Sequence, residues 1–325
     1  MSHPIEPRNW KLLEARPISP GAGRVVCLAN QKGGVAKTTT AINLAAALAL
    51  RGHRVLVIDI DPQANATTGL GLDQRAVEVT SYDLLLGGAG LDEATAPTCI
   101  ANLACVPATA DLAGAEVELV AQMERERRLA AALAGAPGRY EIVFVDGPPS
   151  LGLLTVNALV AAQDLIVPVQ CEYYALEGLG QLIGTAERVR RSLNPELRIA
   201  GFLLTMYDAR TRLSSQVSDE VRGHFGNLVF ATVIPRSVRL SEAPSFGEPV
   251  LTLDPSSRGA IAYRLLAVEV EQRYGLNAPT VPRPATPPPP PARPGPGGRG
   301  YGTTVPEPPG LDDAWPRPEP WSVVR

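Results

Sequence analysis

Short, continuous apolar runs recur through the middle of this chain, and stretches with helical spacing separate most of them. Val25–Ala29, Arg54–Asp59, Leu103–Pro107, Ile142–Asp146, Leu165–Val169, Ile199–Thr205 and Leu228–Ile234 read as strands. Thr38–Leu50, Ala113–Leu133, Leu153–Ala162, Ala175–Leu193, Ser214–Phe225 and Ser257–Tyr274 read as helices. Strands that are apolar throughout are buried on both faces. Alternating with helices, they predict an α/β fold: a doubly wound, mostly parallel sheet with helices on both faces. No internal repeat is visible.

The pattern stops at both ends. Residues 1–23 are polar, contain four prolines and read as a flexible arm. Of the 32 prolines, 16 fall in residues 276–325, which therefore cannot bury enough apolar surface to fold and read as a disordered, polyproline-rich tail. Trp315 and Trp321 stand among those prolines as a possible docking peptide, with an inert tail as the alternative. The folded domain is expected over residues 24–275. The N-terminal segment lacks the apolar core of a secretory signal, and no run of 18 apolar residues occurs. Cys27, Cys99, Cys105 and Cys171 form no metal-ligand spacing and read as free thiols of a reducing compartment. The expected location is the cytoplasm, with no membrane partner.

Charge changes this picture little at first. The formal net charge is −3 over 325 residues, so any nucleic-acid surface must be a local patch. The basic residues are lopsided, however: 27 arginines against three lysines, Lys11, Lys32 and Lys37. A chain that has nearly abandoned lysine keeps two of them within six positions, which draws attention to that loop.

The loop reads NQKGGVAKTTT, Asn30–Thr40, between an expected strand and an expected helix. Gly33 and Gly34 let backbone amides approach phosphate oxygens, and the helix that follows points its free N–H groups at an anion. Lys37 can reach the β- and γ-phosphates, and the Thr38 hydroxyl can coordinate Mg²⁺. Relative to GxxxxGK[ST], the loop lacks the first glycine and Lys32 is additional. The loop resembles the deviant Walker A motif, KGGxxK[ST], of the ParA/MinD family of P-loop NTPases. That resemblance implies ATP and Mg²⁺ as cofactors, Lys32, Gly33, Gly34, Val35, Ala36, Lys37, Thr38 and Thr39 around the phosphates, and Lys32 reaching a partner subunit's nucleotide. Ala36 stands where the family most often has glycine. Its methyl is harmless at negative φ and costly at positive φ.

Further segments extend the resemblance over nearly all of residues 24–274. VLVIDIDPQANATTGLG (Val55–Gly71) resembles switch I of the ParA branch. The resemblance places Asp59 near Mg²⁺ and makes Asp61 the catalytic aspartate, although on its own Asp61 is an ordinary turn residue before Pro62. IVFVDGPPSLGLLTVNAL (Ile142–Leu159) resembles Walker B and switch II, with Asp146 as a Mg²⁺ residue at a strand's carboxyl end. PATADLAGAEVELV (Pro107–Val120) and VPVQCEYYALEGLGQL (Val167–Leu182) belong to the same pattern. TMYDART (Thr205–Thr211) and VIPRSVRLSEAPSFGEPV (Val233–Val250) resemble the ParA/Soj branch, with Met206 and Pro235 as adenine neighbours.

Members of that branch bind DNA nonspecifically as ATP dimers. Residues 205–258 hold six arginines and six acidic residues, so no charge run marks such a surface. By resemblance, Arg210 and Arg239 are the DNA-contacting positions, with Arg236 and Arg258 as neighbours. Ordinary surface ion pairs are the alternative for each. The arm of 23 residues is too short for a helix-turn-helix, so sequence-specific operator binding is not expected. The resemblance implies a ParA/Soj-type ATPase in chromosome or plasmid segregation: an ATP-dependent homodimer on nonspecific double-stranded DNA at the nucleoid, released when a ParB-like protein stimulates hydrolysis. Two other readings stay open, an orphan ATPase that positions protein clusters and a non-hydrolysing nucleotide-binding scaffold. An iron–sulfur relative would need paired cluster cysteines, which the sequence does not supply.

Overall fold

The computed structural model describes residues 23–276 except 174, 175 and 177. Apart from Gly23 and Leu276, the expected arm and tail, with Trp315 and Trp321, lie outside the described residues. Seven strands form one sheet: β1 (Arg24–Leu28), β2 (Val55–Asp59), β3 (Ala96–Pro97), β4 (Leu103–Val106), β5 (Ile142–Asp146), β6 (Asp164–Gln170) and β7 (Arg198–Thr205). Their order is β3-β4-β2-β5-β1-β6-β7, parallel except for the β3–β4 pair. The helices among the described residues are α1 (Lys37–Leu50), α2 (Asn65–Gly69), α3 (Ser81–Leu86), α4 (Leu91–Ala94), α5 (Leu112–Val120), α6 (Arg128–Ala132), α7 (Ala136–Arg139), α8 (Leu153–Ala161), α9 (Leu179–Ser192), α10 (Arg212–Phe225), α11 (Val238–Glu242), α12 (Val250–Leu253) and α13 (Arg258–Tyr274).

The apolar strands do what their pattern requires. Side chains alternate across a strand, so Val26 and Leu28 of β1 enter one core with α1 and α13. Val25 and Cys27 enter the other, with α5, α8, α9 and α10. Each fully buried Leu, Val or Phe contributes roughly 1.5–3 kcal/mol of transfer free energy. Alanines at 41, 45, 46, 47 and 49 bring α1 close onto the sheet. From β1 the chain crosses through α1 to β2 on one side, and from β5 through α8 to β6 on the other. The loops leaving β1 and β5 therefore diverge to opposite faces, which opens a crevice at the carboxyl edge of the sheet.

Three expected elements are corrected. The helix expected over Ala113–Leu133 is broken after Val120, with Glu124 at φ 51° and a 3₁₀ turn at Arg125–Arg127 before α6. Asn157 of α8 holds the break: its Nδ2 donates to Arg125 O at 2.8 Å and its Oδ1 accepts from Leu129 N at 3.1 Å. Of the strand expected at Leu228–Ile234, Leu228 closes a 3₁₀ turn and the rest runs along the edge of the sheet beside β7. Phe230 N and Ile234 N donate to Phe202 O and Leu204 O of β7, both at 2.9 Å. Between them, Glu269 of α13 takes the Ala231 and Thr232 amides at 2.8 and 2.9 Å, so a ladder cannot run through. The helix expected over Ala175–Leu193 starts at Leu179, after Gly178 at φ 83°.

Candidate nucleotide site

The loop between β1 and α1 is fixed at both ends. At its start, Asn30 Nδ2 donates to Pro168 O at 2.7 Å and Asn30 Oδ1 accepts from Lys32 N at 3.0 Å. At its end, Thr205 Oγ1 of β7 donates to Val35 O at 3.1 Å. Gly33 and Gly34 are exposed, and Gly34 has φ 72°. Ala36, at the N-cap of α1, has φ 67° and ψ 34°. The methyl that the sequence placed in question therefore sits in the left-handed region. No side chain caps α1 and no acidic residue lies in its first turn, so its first N–H groups face the crevice unclaimed by the protein. Thr38 and Thr39 are half-buried beside them.

Lys37 is buried, with 6 % of its surface exposed. Burial holds its ammonium below the usual lysine range, while the charges of Asp146 and Asp61 act in the opposite direction. Three of the expected functional side chains thus converge. Asp59 and Asp146 occupy paired positions at the ends of β2 and β5, and both are fully buried. Burial pushes the Asp59 carboxyl up to about 6 against the hydrogen bonds it accepts. Asp146 is raised well above the carboxylate range, first by burial and then by the charge of Asp59, with Thr38 and Lys37 pulling it back.

The two carboxylates differ in satisfaction. Asp59 Oδ2 accepts from Thr67 N and Oγ1 at 2.8 and 2.7 Å, and its Oδ1 accepts from Asp61 N at 3.1 Å. Neither oxygen of Asp146 has a partner in hydrogen-bonding geometry, although the Thr38 hydroxyl lies near enough to pull its carboxyl down. A buried carboxylate left in this way is unfavourable unless a cation or a bound water completes it. The site therefore fits a divalent cation next to Asp146 and Thr38. Asp59, beside it in register, holds Thr67 of α2. Among the described residues no group of three His, Cys, Asp or Glu side chains could hold a metal, so the protein alone does not complete a shell. Asp61, 6 % exposed, accepts from Gln63 N at 3.0 Å and lies within electrostatic reach of Lys37.

Met206 and Pro235 also come together. Met206, at φ 51°, follows Thr205, which binds the loop, and Gln170 Nε2 contacts its sulfur at 3.3 Å. Pro235 bridges to Tyr207, next in the chain. The four arginines are exposed and fall into two groups. Arg210 makes a two-point ion pair with Asp208 at 2.9 and 2.7 Å, and Arg236 meets Glu172 at 3.5 Å. Arg239 of α11 pairs with Glu242 at 3.1 Å and Asp254 at 3.3 Å, and Arg258 opens α13 four residues beyond Asp254. Sequence reasoning missed Asn30, Thr67 and Thr205 as anchors. No local spacing marks the last two, because they act across elements distant in the chain.

Residues 23–199 match the family model described as an AAA domain. The chain is 54 % identical over 248 residues to the sporulation initiation inhibitor protein Soj of Bacillus subtilis, covering 76 % of this chain and 98 % of that one. It is 55 % identical over 252 residues to the chromosome partitioning protein ParA of Caulobacter vibrioides, covering 77 % and 94 %. The chain belongs to the ParA/Soj family of P-loop ATPases. A solved structure named cobyrinic acid a,c-diamide synthase from Mycobacterium smegmatis, with bound ADP and magnesium, superposes with a TM-score of 0.68 at 41 % identity. It covers 80 % of this chain and 99 % of that one. The crevice of this ParA/Soj-family member is thus the P-loop site of an α/β ATPase fold. No helix of the described residues is long and apolar enough to cross a membrane.

Proposed function

We propose that this chain is a DNA-segregating ATPase that cycles between ADP- and ATP-bound states with Mg²⁺. The observation that carries the reading is the orphaned Asp146 carboxylate beside Thr38, facing an uncapped α1 whose first residue, Lys37, is buried among acidic groups. Bound Mg²⁺ supplies charge neutralisation at the β- and γ-phosphates. The α1 amides and the Gly33–Gly34 backbone bind the phosphates, and Lys37 places its ammonium against them. Asp61 orients the attacking water, and Met206 and Pro235 flank the base. Thr38 and Asp146 would hold the cation, with Asp59, the register partner of Asp146, as the third residue of the metal site.

Two copies close as a homodimer in the ATP state, with Lys32 of each reaching the other's nucleotide. Closure doubles the surfaces that carry Arg210, Arg239, Arg236 and Arg258, and these bind double-stranded DNA without sequence preference at the nucleoid of the cytoplasm. A ParB-like protein stimulates hydrolysis and releases the dimer. The ion pairs of three of these arginines do not oppose the reading, because exposed pairs are weak and guanidinium groups exchange to phosphate. The folded unit is residues 24–275, with the arm and tail as appendages.

The test is DNA binding with ADP and with ATP across a salt series, using Arg210→Ala and Arg239→Ala. The reading expects tight, steeply salt-dependent binding with ATP only, weakened in both variants. Equal binding by all forms and nucleotides would sink it. A second reading, a non-hydrolysing scaffold, is favoured by one observation, the left-handed Ala36 inside the phosphate loop. Phosphate release no greater than in a Lys37→Ala control, with DNA and partner present, would select it.

A further inference from the structure

We propose that Asn30 is the positioning residue for Lys32, and that through this lysine it controls closure of the ATP dimer. The proposal rests on the reading of Lys32 as the lysine that crosses to the other subunit.

Asn30 lies one residue before the position at which a glycine opens the general phosphate loop, and only 5 % of its surface is exposed. β1 pairs with β6 through Leu28, and just beyond, Ala29 N still donates to Ile166 O at 3.4 Å. Bonds in a parallel ladder recur every second residue, so the next donor would be Gln31 N and the next acceptor Pro168 O. The structure replaces that bond. The Asn30 side chain reaches Pro168 O at 2.7 Å and satisfies the β6 carbonyl that the ladder would have used next, which frees the β1 backbone to leave the sheet. The same amide group then accepts the Lys32 N–H at 3.0 Å, an Asx turn across residues 30–32. One buried side chain thus ends the strand and sets the turn from which Lys32 departs.

The other half of the loop does not depend on this clamp. Val35 is held by Thr205, and Lys37 is the first residue of α1. Loss of Asn30 should therefore separate two properties. Nucleotide held by Lys37 and the α1 amides survives, and the work of Lys32 is lost.

The experiment compares full-length Asn30→Ala and Asn30→Asp with Lys32→Ala and the double variant Asn30→Ala/Lys32→Ala. Aspartate keeps the acceptor for Lys32 N–H and loses the donor to Pro168 O, so it also serves if the alanine variant does not fold. Two constants are read: the Kd for Mg-ADP, and the protein concentration at half-dimerisation with Mg-ATPγS by sedimentation velocity. In the Asn30 variants, ADP affinity should change by less than about threefold. Half-dimerisation should need about tenfold more protein, the equivalent of one buried hydrogen bond. The double variant should be no worse than Lys32→Ala, because residues that act through one another are not additive. Equal losses in both constants, or additive effects of the two substitutions, would overturn the proposal. If Lys32→Ala dimerises normally, the cross-subunit reading itself fails, and this proposal with it. Failure of the proposal alone shows as a defective Lys32→Ala beside an unaffected or non-selective Asn30 variant.

Discussion

Asp59 and Asp146 are register partners at the ends of β2 and β5, yet one carboxylate accepts three hydrogen bonds and the other accepts none. Two buried carboxylates at adjacent positions repel each other, so the apo protein carries an unfavourable pair. The asymmetry predicts opposite signs for the same substitution. Asp146→Asn removes a charge without breaking a bond and should stabilise the nucleotide-free protein. Asp59→Asn places an amide against the Thr67 donors and should destabilise it by about 1–3 kcal/mol. Urea denaturation without nucleotide or Mg²⁺ checks both. Asp146→Asn should also abolish the Mg²⁺ dependence of nucleotide binding.

Ala36 holds φ 67° at the N-cap of α1, a conformation that glycine adopts without a steric penalty. A left-handed alanine costs about 1–2 kcal/mol, offset in part by the greater unfolded-state entropy that glycine brings. Ala36→Gly should therefore raise stability by up to about 1 kcal/mol and shift the urea midpoint without changing the m-value. Ala36→Val, β-branched at the same φ, should lower it. A stability loss in Ala36→Gly would show that the strain is relieved elsewhere in the loop.

The centre of the sheet was legible in the sequence because β1, β2, β5 and β6 are apolar runs that only a doubly covered sheet accommodates. Lys37, Asp61 and Asp146 were legible because the ParA-like segments carry them at fixed places, and the structure brings them together. What was not legible depends on distant partners. The break after Val120 is held by Asn157, and the missing strand at 228–234 by Glu269. The contrast between Asp59 and Asp146 depends on Thr67, eight residues beyond Asp59 and folded back onto it by α2. No periodicity announces such bonds. The backbone angle of Ala36 was posed by the sequence as a question, and only the fold answers it.

Gly71 and Gly247 lie backbone to backbone, joining the end of α2 to the turn that follows α11 with Arg239. A Cβ added at Gly71 would lie 2.9 Å from Gly247 O, and Gly71 has φ 81°. Gly71→Ala should therefore destabilise the protein by about 1–3 kcal/mol through combined overpacking and backbone strain. Gly34→Ala is the control for strain alone, since its φ is 72° and nothing lies within 4 Å of an added Cβ. Thermal unfolding of the two variants separates the contributions, and equal losses would remove the packing term.

The arginines of the proposed DNA surface should behave differently in stability and in binding. Arg210 and Arg239 are largely exposed, and their ion pairs are of the kind that contributes little to folding. Arg210→Ala and Arg239→Ala should each change unfolding free energy by less than about 0.5 kcal/mol. Each should reduce the slope of log K against log salt for DNA by about one unit per phosphate contact removed. Binding titrations at several salt concentrations give the slope, and a slope equal to that of the unsubstituted protein would exclude that arginine from the interface.

At the opposite edge of the sheet, Glu271 ties α13 to the turn that follows α1. Arg51 donates to it twice, at 2.6 and 2.8 Å, and the fully buried His53 approaches it through Nε2 at 2.8 Å. Burial works to raise the Glu271 carboxyl, but the bonds from Arg51 and His53 outweigh it, so the group titrates below the usual glutamate range. A carboxyl depressed in the folded state contributes stability that is fully present above its unfolded pKa, about 4.3, and lost as pH falls through the folded value. Glu271→Gln should therefore be less stable than the unsubstituted protein at pH 7, by about 1–3 kcal/mol for a charge-assisted bond. The gap should hold to about pH 5, narrow as the pH falls below about 4.3, and close only below the lower folded value, where both forms carry a neutral group. Urea midpoints at pH 7, 5 and 3.5 measure it. A gap that stays constant to pH 3.5 would mean that packing of the side chain, and not its charge, ties α13 to the end of α1.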